Sequence, residues 1–453
     1  MLSAEDTVVI LPPETAPLLA AFAAEFTRPT AVRFQTLLAA TLLTTGRRTI
    51  SGVLRTLRHL APGHRTAYRR VFSRADWSGL RLGCALARLI VARLPDAEPI
   101  RLVGDDTVDG HTGRTVYAKA RHRDPVRSTH SYTAWRYGHK WVVLAVLVKF
   151  PFATRPWALP VLVDLYRSAD DDNARRRPHR TPAQIMCRLL RLLMIRLPGR
   201  RFVFAGDSGF GTHEVARFCH RHRGRLTLVS KLHPEANLFD PPGRYKGNGR
   251  PPVKGARRAK PSQAAGPGAR RTVLTVGWYG GGRREVAVVG EVAHWYKAGH
   301  GLVPVRWVSV RDRTGTHRDE FLFTTDSALD PAAIIGHYCG RWNIETTFQE
   351  MRAHLGLETT RGRCAKTVTR AAPCLFGLYA VVALLYDATP VGERGGRVEW
   401  PGKATATFSD ALACVRRRTW AEGVFPQAGC RSGLAELPEP VRELLLTTLA
   451  PAA

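Results

Sequence analysis

This 453-residue sequence lacks closely spaced pairs of cysteines, of the kind that form disulfide frameworks or bind zinc. Its eight cysteines are scattered, and no Cys-x-x-Cys pair occurs. The pattern excludes a disulfide framework and a zinc module and predicts a reducing, cytoplasmic setting. The nearest approach to a metal cluster is His213, Cys219, His220 and His222, but Arg217 stands where a zinc-protease helix needs its second histidine. We interpret this stretch as a basic helix on a nucleic-acid side.

Long apolar runs are also missing. No run reaches the roughly 20 residues that span a bilayer. The longest uncharged stretch, residues 371–386, is shorter and contains Pro373 and Gly377, which favours a buried helix. Residues 1–12 carry Glu5 and Asp6 where a secretory signal has basic residues. The sequence therefore predicts no membrane partner.

Acidic residues are few. There are 37 Asp and Glu against 68 Lys and Arg, which gives a formal net charge of +31. A field of this size attracts polyanions before any specific contact forms, and arginine suits bidentate phosphate contacts. A hydrophobic content of 44% excludes a mainly disordered chain. The composition favours a folded protein that binds nucleic acid.

The first 95 residues predict a helical domain that binds DNA. Apolar residues recur at helical spacing in 16–26, 32–44, 50–57 and 77–94. Basic residues follow the ends and faces of these segments, so one side of the domain is expected to be basic. They are Arg47, Arg48, Arg55, Arg58, Arg65, Arg69 and Arg70.

Strands alternate with helices from residue 96 onwards. This alternation predicts an α/β core whose sheet is covered on both faces. Thr181 is expected to cap a helix over 181–196, with Pro182 in its first turn. The strands are expected at 100–103, 141–150, 161–166, 201–205 and 226–231, and a second helix at 212–219.

A β-rich insertion is expected to interrupt this core. Residues 241–271 are rich in Pro, Gly and Ala, carry nine basic residues and no acid, and predict a flexible linker that touches phosphate. Alternating patterns then predict antiparallel strands at 272–279, 284–292, 305–311 and 321–324. The predicted layout is a helical domain (1–95), the first part of the catalytic core (96–235), linker and insertion (236–328), the last part of the core (329–390) and a partly helical C-terminal region suited to dimerisation (391–453).

Three acids follow this layout. Asp106 is expected to close the first strand, Asp207 to close a later strand, and Glu345 to lie on a downstream helix. Acids from strand ends and a facing helix can converge at the carboxyl edge of a sheet. Their oxygens suit Mg²⁺ or Mn²⁺, and two such ions support in-line phosphoryl transfer. Either aspartate could instead cap a turn, since Asp readily bonds nearby amides.

The helix with Glu345 is the most distinctive segment. The sequence predicts one amphipathic helix from Asp330-Pro331 to Leu357, with Asp330 as its N-cap. Helical spacing brings Tyr338, Arg341, Glu345 and Arg352 close to one stripe of that helix. A carboxylate between two guanidinium groups suits a site that holds both a cation and a phosphate backbone.

The order Tyr338, Arg341, Glu345 resembles the signature around the last catalytic acid of a large group of bacterial insertion-sequence DDE transposases. Trp342 after the arginine and Ile344 before the glutamate also match. In the group, Glu is followed by six residues and then Lys; at that Lys position this sequence has Arg352. The charge is kept, while a planar fork replaces a point ammonium.

The resemblance implies an RNase H-like catalytic core, interrupted by a β insertion, with Asp106, Asp207 and Glu345 as catalytic and metal-binding triad and Asp105 as the alternative first acid. It implies that Tyr338, Arg341, Trp342 and Arg352 bind DNA. It also implies two Mg²⁺ ions, with Mn²⁺ as a substitute, and cleavage and strand transfer at terminal inverted repeats and target DNA. The expected assembly is a homodimer or larger, in the cytoplasm with the nucleoid.

Three alternatives remain at this point. Gly206-Asp207-Ser208-Gly209 also occurs around the nucleophile of chymotrypsin-like proteases, but the Ala-Ala-His-Cys segment of that family is absent. A catalytically inactive or repurposed DNA-binding protein would keep the charge without cutting. An RNase H-like nuclease would cut without joining ends.

Overall fold

One mixed β-sheet organises the described part of the chain, which comprises residues 10–124, 127–245, 247, 249–427 and 433–452 of this computed structural model. The sheet has eleven strands in the order β2-β3-β1-β5-β6-β11-β10-β9-β7, with β4 paired to β3 and β8 to β9. The strands are β1 (Ile100–Gly110), β2 (Ala120–Arg123), β3 (Trp135–Val148), β4 (Trp157–Tyr166), β5 (Phe202–Gly206), β6 (Leu226–Lys231), β7 (Leu238–Phe239), β8 (Thr272–Gly277), β9 (Arg283–Lys297), β10 (Gly301–Asp312) and β11 (Glu320–Thr324).

The sheet is parallel only at its centre, as far as the described strands go. β1 pairs in parallel with β5 and β5 with β6, while the remaining pairs are antiparallel. The strands expected between residues 272 and 324 do form. They continue this same sheet, because β11 pairs directly with β6. The fold is therefore mixed α/β, with helices on both sides of its core strands.

Sixteen α-helices are found in the described ranges. Thr181 caps α7 through a capping box and Pro182 opens it, as the sequence predicts. α4 was not expected from the sequence. The helices are α1 (Ala16–Ala23), α2 (Arg28–Leu43), α3 (Ile50–Leu57), α4 (Arg65–Ser73), α5 (Gly79–Val91), α6 (Ala169–Ala174), α7 (Pro182–Arg196), α8 (His213–Arg221), α9 (Pro261–Ala264), α10 (Pro331–Gly340), α11 (Asn343–His354), α12 (Ala365–Ala388), α13 (Phe408–Arg418), α14 (Phe425–Gln427), α15 (Gly433–Glu436) and α16 (Glu439–Leu449).

The predicted helix around Glu345 is two helices, so that expectation is wrong in its continuity. Asp330 caps α10 as expected, by accepting a hydrogen bond from the amide of Ala333. The chain then tightens between α10 and α11. Here the amides of Arg341 and Trp342 bond carbonyls three residues back, at 3.0 and 3.2 Å. Such tight turns interrupt regular α-helix without reversing the chain.

The apolar stretch at 371–386 lies inside α12, a core helix. α12 packs against β4 and against α4, α5 and α13. By length and composition it is the one helix in the described ranges that could cross a membrane, and 72% of its most apolar window is buried within the protein. The burial agrees with the predicted buried helix.

Buried arginines join the N-terminal helices to the rest of the chain. Arg48 donates to the carbonyl of His354 at the end of α11, at 2.8 Å. Arg370 of α12 donates to the carbonyl of Phe72, and Arg416 of α13 to that of Leu42. Each guanidinium satisfies a carbonyl in the last turn of a helix that has no partner of its own there. Arg48 is 8% exposed, so its expected role on a DNA-facing side is wrong.

Two basic residues of the predicted linker form ion pairs. Arg258 contacts Asp240 at 2.6 Å and Glu291 at 2.7 Å, and Lys260 contacts Glu235 at 2.7 Å. These acids lie outside residues 241–271, which explains why the segment alone looks uncompensated. Lys246 in this segment, Cys430 and the predicted N-terminal features at residues 1–9 lie outside the described residues.

Gly138 provides a test of the ladder between β1 and β3. A Cβ atom at Gly138 would lie 1.7 Å from the carbonyl oxygen of Asp109, a backbone atom that cannot move aside cheaply. We expect Gly138→Ala to lower the free energy of unfolding by about 1–3 kcal/mol, as overpacking does. Gly224→Ala, where the added methyl group meets no atom within 4 Å, is the matched control. Denaturant unfolding of both variants measures the difference, and equal stability would contradict this close approach.

Candidate active site

Two aspartates lie side by side at the end of the parallel pairing between β1 and β5. The register pairs Gly104 with Gly206, and Asp105 and Asp207 follow directly on the two strands. β1 itself continues to Gly110 through its antiparallel pairing with β3. The expectation that Asp106 closes the first strand is therefore wrong. Only the pairing of β1 with β5 ends at this point, while β1 itself continues.

The two neighbouring acids of β1 point to opposite faces of the sheet, since strand side chains alternate. Asp105 Oδ2 accepts a hydrogen bond from Arg341 at 2.9 Å, on the face covered by α10 and α11. Asp106 Oδ2 lies 2.9 Å from Lys140 Nζ of β3, on the other face. Only Asp105 shares a face with the helix that carries Glu345.

Arg341 connects Asp105 to Glu345. Its Nη1 donates to Asp105, and its Nη2 donates to Glu345 Oε1 at 2.7 Å. The Arg341 side chain is 10% exposed and that of Glu345 is 42% exposed. Glu345 lies in the first turn of α11, where the helix dipole favours a negative charge. One buried guanidinium thus holds two carboxylates that are far apart in sequence.

Asp207 is held by the turn that follows β5. Its Oδ1 accepts hydrogen bonds from the amides of Gly209, at 2.9 Å, and Phe210, at 3.3 Å. Ser230 of β6 donates to the carbonyls of Gly206 and Asp207, both at 2.8 Å. α8 is capped by Thr212, so Asp207 stabilises a turn and does not cap the helix.

The carboxylates raise one another's pKa. Burial raises the pKa of Asp105 to about 7, Arg341 opposes the rise, and the charges of Asp207 and Asp106 add to it. Burial also raises the pKa of Asp106, against the opposing charge of Lys140. Burial disfavours the charged form of Arg341, but Asp105, Tyr338 and Glu345 outweigh that effect and raise its pKa. The site therefore has affinity for further positive charge.

The other residues of the signature surround this group. Tyr338 is 2% exposed and lies beneath two cations, with Lys231 Nζ and the Arg341 guanidinium each 5.7 Å from its ring centre. Trp342 is half-buried, with the Arg155 guanidinium 5.6 Å from its ring centre. Arg352 bonds Thr107 of β1 and, at 3.2 Å, Glu358. Arg341 and Arg352 thus both fasten α11 to β1.

The donor set suits a hard divalent cation, but the guanidinium of Arg341 lies between two of the donors. Three carboxylates at one sheet edge are the oxygen ligands that Mg²⁺ and Mn²⁺ take. Asp105, Asp207 and Glu345 do not, however, bring an oxygen each within 4.8 Å of one another in this arrangement of the described residues. The residues fit a cation chemically, and Arg341 supplies the balancing charge.

A protein-family comparison identifies the chain. The family model described as "DDE superfamily endonuclease" matches residues 21–285, more than half of the 453 residues. The chain belongs to the DDE superfamily endonucleases. The matched residues include Asp105, Asp106 and Asp207, while Glu345 lies beyond them.

Other comparisons with known proteins add little to this family assignment. A solved structure titled "Cryo-EM structure of piggyBac transposase synaptic complex with hairpin DNA" is similar over 99% of this chain and 83% of that chain. The identity is 9% and the TM-score 0.40, a level that carries no argument here. No curated protein sequence matches the chain.

Several residues of the candidate site were not expected from the sequence. Lys140 faces Asp106 across the ladder, and Arg155 donates to Asn343 at 3.2 Å and to Thr346 at 2.8 Å. No local motif marks either cation. Predicting that Lys140 lies on the same face as Asp106 requires the register between β1 and β3, which the sequence does not provide.

The predicted nucleic-acid side of α8 is only partly available. His213 is 3% exposed, and its Nε2 lies 3.2 Å from the carbonyl oxygen of Trp295. Cys219 is fully buried. These two residues face the protein interior, which leaves the other face of the helix for solvent or a partner.

The raised pKa of Asp105 predicts a pH dependence of stability. The folded state keeps the Asp105 proton up to about pH 7, whereas the unfolded chain releases it near pH 4. In metal-free buffer, ionisation of this group therefore lowers stability as the pH rises from about 4 to about 7. We expect Asp105→Asn to remove this contribution, so its unfolding midpoint declines less over that range than that of the unmodified protein.

The midpoint is measured by thermal unfolding in the presence of a chelator. Asp96→Asn is the control, because the Asp96 side chain is 96% exposed. Parallel pH profiles for Asp105→Asn and the unmodified protein would contradict the raised pKa.

Proposed function

We propose that this DDE superfamily endonuclease is the transposase of a bacterial insertion sequence. It would bind terminal inverted repeats and catalyse metal-dependent strand cleavage and strand transfer, that is, cut-and-paste DNA transposition. The observation that carries the proposal is the convergence of Asp105, Asp207 and the Arg341–Glu345 pair at one edge of the parallel strands. Membership of the endonuclease family supports the reaction class.

In this proposal Asp207 and Glu345 are catalytic, and Asp105 is the preferred first acid. Asp105 shares a sheet face with Glu345, whereas Asp106, the first acid favoured by the sequence, contacts Lys140 on the other face. Asp106 remains the alternative. The core built on β1, β3, β5 and β6 would be RNase H-like, and β8–β11 would be the insertion within it.

The proposed cofactor is a pair of Mg²⁺ ions, with Mn²⁺ as a substitute, held by Asp105 or Asp106, Asp207 and Glu345. Such ions would activate the attacking oxygen and stabilise the leaving oxygen of a phosphodiester. In the protein alone, Arg341 forms ion pairs with both Asp105 and Glu345. Once cations neutralise those carboxylates, its guanidinium becomes free to contact a DNA phosphate, the role proposed for it together with Arg352.

The surface that shares a face with the acids suits DNA. Trp135 and Tyr137 of β3 are 48% and 57% exposed, and alternation puts them on the face of Asp105. The guanidinium of Arg121 lies 4.1 Å from the ring centre of Trp135. Exposed aromatic rings interleaved with arginine bind unpaired bases by stacking. These residues are candidates for holding unpaired DNA about 20–26 Å along β3 from the position paired with Asp105.

The exposed arginines of the N-terminal helices would contact the repeat DNA. Arg47, Arg55, Arg65, Arg69 and Arg70 are all exposed.

The proposal also includes the domain limits predicted from the sequence. It includes a dimeric or larger assembly on DNA and a location in the cytoplasm with the nucleoid. A DNA-binding protein without cleavage activity and a nuclease without strand transfer remain as alternatives, and both are outcomes of the test below.

The catalytic acids can be tested with a DNA duplex that carries the inverted repeats flanking the gene. Alanine at Asp207 or Glu345 is expected to lower cleavage in Mg²⁺ by on the order of a thousandfold or more, about 4 kcal/mol of transition-state stabilisation. DNA binding should remain nearly unchanged, because neither carboxylate attracts phosphate. Gel assays of nicking and joining give the rates, and filter binding gives the affinity.

Asp105→Asn and Asp106→Asn, compared in the same assay, distinguish the two candidates for the first acid. Loss of cleavage in Asp105→Asn alone supports the preferred assignment. Retained cleavage in the Asp207 or Glu345 variants would refute the triad. Binding without cutting by the unmodified protein would favour an inactive DNA-binding protein, and cutting without joining a nuclease.

The N-terminal arginines predict the salt dependence of binding. Replacing Arg65, Arg69 and Arg70 of α4 by Gln should reduce the slope of log affinity against log salt by up to about 0.9 for each phosphate that the variant no longer binds. Arg311→Gln with Arg313→Gln is the control, because both guanidinium groups already pair with acids, Asp319 and Glu285. Equal slopes for the α4 variant and the unmodified protein would remove α4 from the DNA interface.

A further inference from the structure

A second cluster of metal-binding side chains lies further along β1. Asp109 of β1 pairs with His139 of β3, and His111 follows the end of β1. One ligand atom from each side chain lies within 4.8 Å of the other two. The side chains are almost completely buried, with exposures of 0% for Asp109, 4% for His111 and 3% for His139.

Each of these side chains has a buried polar atom without a hydrogen-bond partner. The atoms are Asp109 Oδ2, His111 Nε2 and His139 Nδ1. Asp109 Oδ2 is 3.2 Å from His111 Nε2, and Asp109 Oδ1 is 3.5 Å from His139 Nδ1, but neither pair has hydrogen-bond geometry. A buried polar atom left unsatisfied costs about 1–3 kcal/mol. Three such atoms facing one another call for a ligand that satisfies all three.

The remaining polar atoms of the cluster orient it. His139 Nε2 lies 2.7 Å from the carbonyl oxygen of Tyr117, which can only accept a hydrogen bond. Nε2 therefore carries the proton, and Nδ1 presents a lone pair to the cluster. Asp109 Oδ1 accepts the amide of His139 at 3.0 Å, which leaves Oδ2 directed elsewhere. A backbone carbonyl on the second nitrogen is the usual support of a metal-binding histidine.

We propose that Asp109, His111 and His139 bind one Zn²⁺ ion. Two imidazole nitrogens and one carboxylate oxygen form a ligand set that zinc takes, with a water molecule as the fourth ligand. Mg²⁺ is a poor occupant, because it requires near-octahedral oxygen ligands.

The ion is not one of those proposed for catalysis. Asp109 lies four residues beyond Asp105 on the same face of β1, about 13 Å along the strand. The zinc would fix the far end of the ladder between β1 and β3, which carries Asp105, and would tie residue 111 to it. The site stands independently of the proposed transposase activity.

The test uses the full chain, stripped with a chelator and titrated with Zn²⁺ in a competition assay with a chromophoric chelator. We expect about one tight equivalent per chain and a higher thermal unfolding midpoint with Zn²⁺. Asp109→Asn and His111→Gln should each weaken the affinity at least tenfold. His122→Gln is the matched control: His122 is a buried histidine of β2 that lies on the opposite face of the same sheet, so its replacement should leave zinc binding unchanged.

Co²⁺ gives a readout that does not depend on the variants folding. Visible ligand-field absorption of the unmodified protein that is typical of a nitrogen–oxygen site, is displaced by Zn²⁺ and is unaffected by Mg²⁺ would support the assignment. Absence of a tight equivalent in the unmodified protein would overturn it and leave a metal-free histidine–aspartate cluster. Unchanged affinity in folded Asp109→Asn would also overturn it, because the zinc would then be bound elsewhere.

Discussion

The contact of Arg341 with Asp105 and Glu345 is the constraint on which the candidate site depends. A guanidinium that is 10% exposed must be compensated, because an unpaired buried charge costs several kcal/mol. The two carboxylates that compensate it lie 236 and 4 residues away in sequence. A lysine could not make both contacts with the same geometry, since only the planar fork of arginine reaches two carboxylates from one fixed position. The contact thereby fixes the start of α11 over the end of the parallel strands.

A site meant for cations and a polyanion must also be stable in their absence. Asp105, Asp106 and Asp207 repel one another, and the raised pKa of Asp105 reflects that repulsion together with burial. Arg341 and Lys140 each neutralise one acid from opposite faces of β1. The protein thus carries its own counter-ions, which offset part of the cost of burying these acids.

The sequence was sufficient for most of the helices and strands, because they leave local patterns. Thr181 and Pro182, the alternation in β8–β11 and the Tyr338–Arg341–Glu345 spacing are all readable within a few residues. The choice between Asp105 and Asp106 was not readable. It depends on which face of β1 meets α11, and adjacent strand residues differ only in that respect.

Contacts between residues that are far apart in sequence could not be predicted either, because no local pattern marks them. Arg48 looked like one of many basic surface residues, because its acceptor at His354 comes 306 residues later. Asp109 and His139 become neighbours only through the β1–β3 register. The break between α10 and α11 was missed because both residues at the link keep helical backbone angles, and only the hydrogen-bond spacing changes.

The buried arginines that bond the last carbonyls of distant helices limit how such a protein can evolve. Arg48, Arg370 and Arg416 join the first 95 residues to α11, α12 and α13 through carbonyls that have no other means of pairing in their helices. Exchanging the N-terminal helices for those of a relative would keep these contacts only where the new helices end at the same places. New DNA preferences are therefore expected to evolve by substitutions on the exposed helix faces, residue by residue, and not by recombination of whole segments.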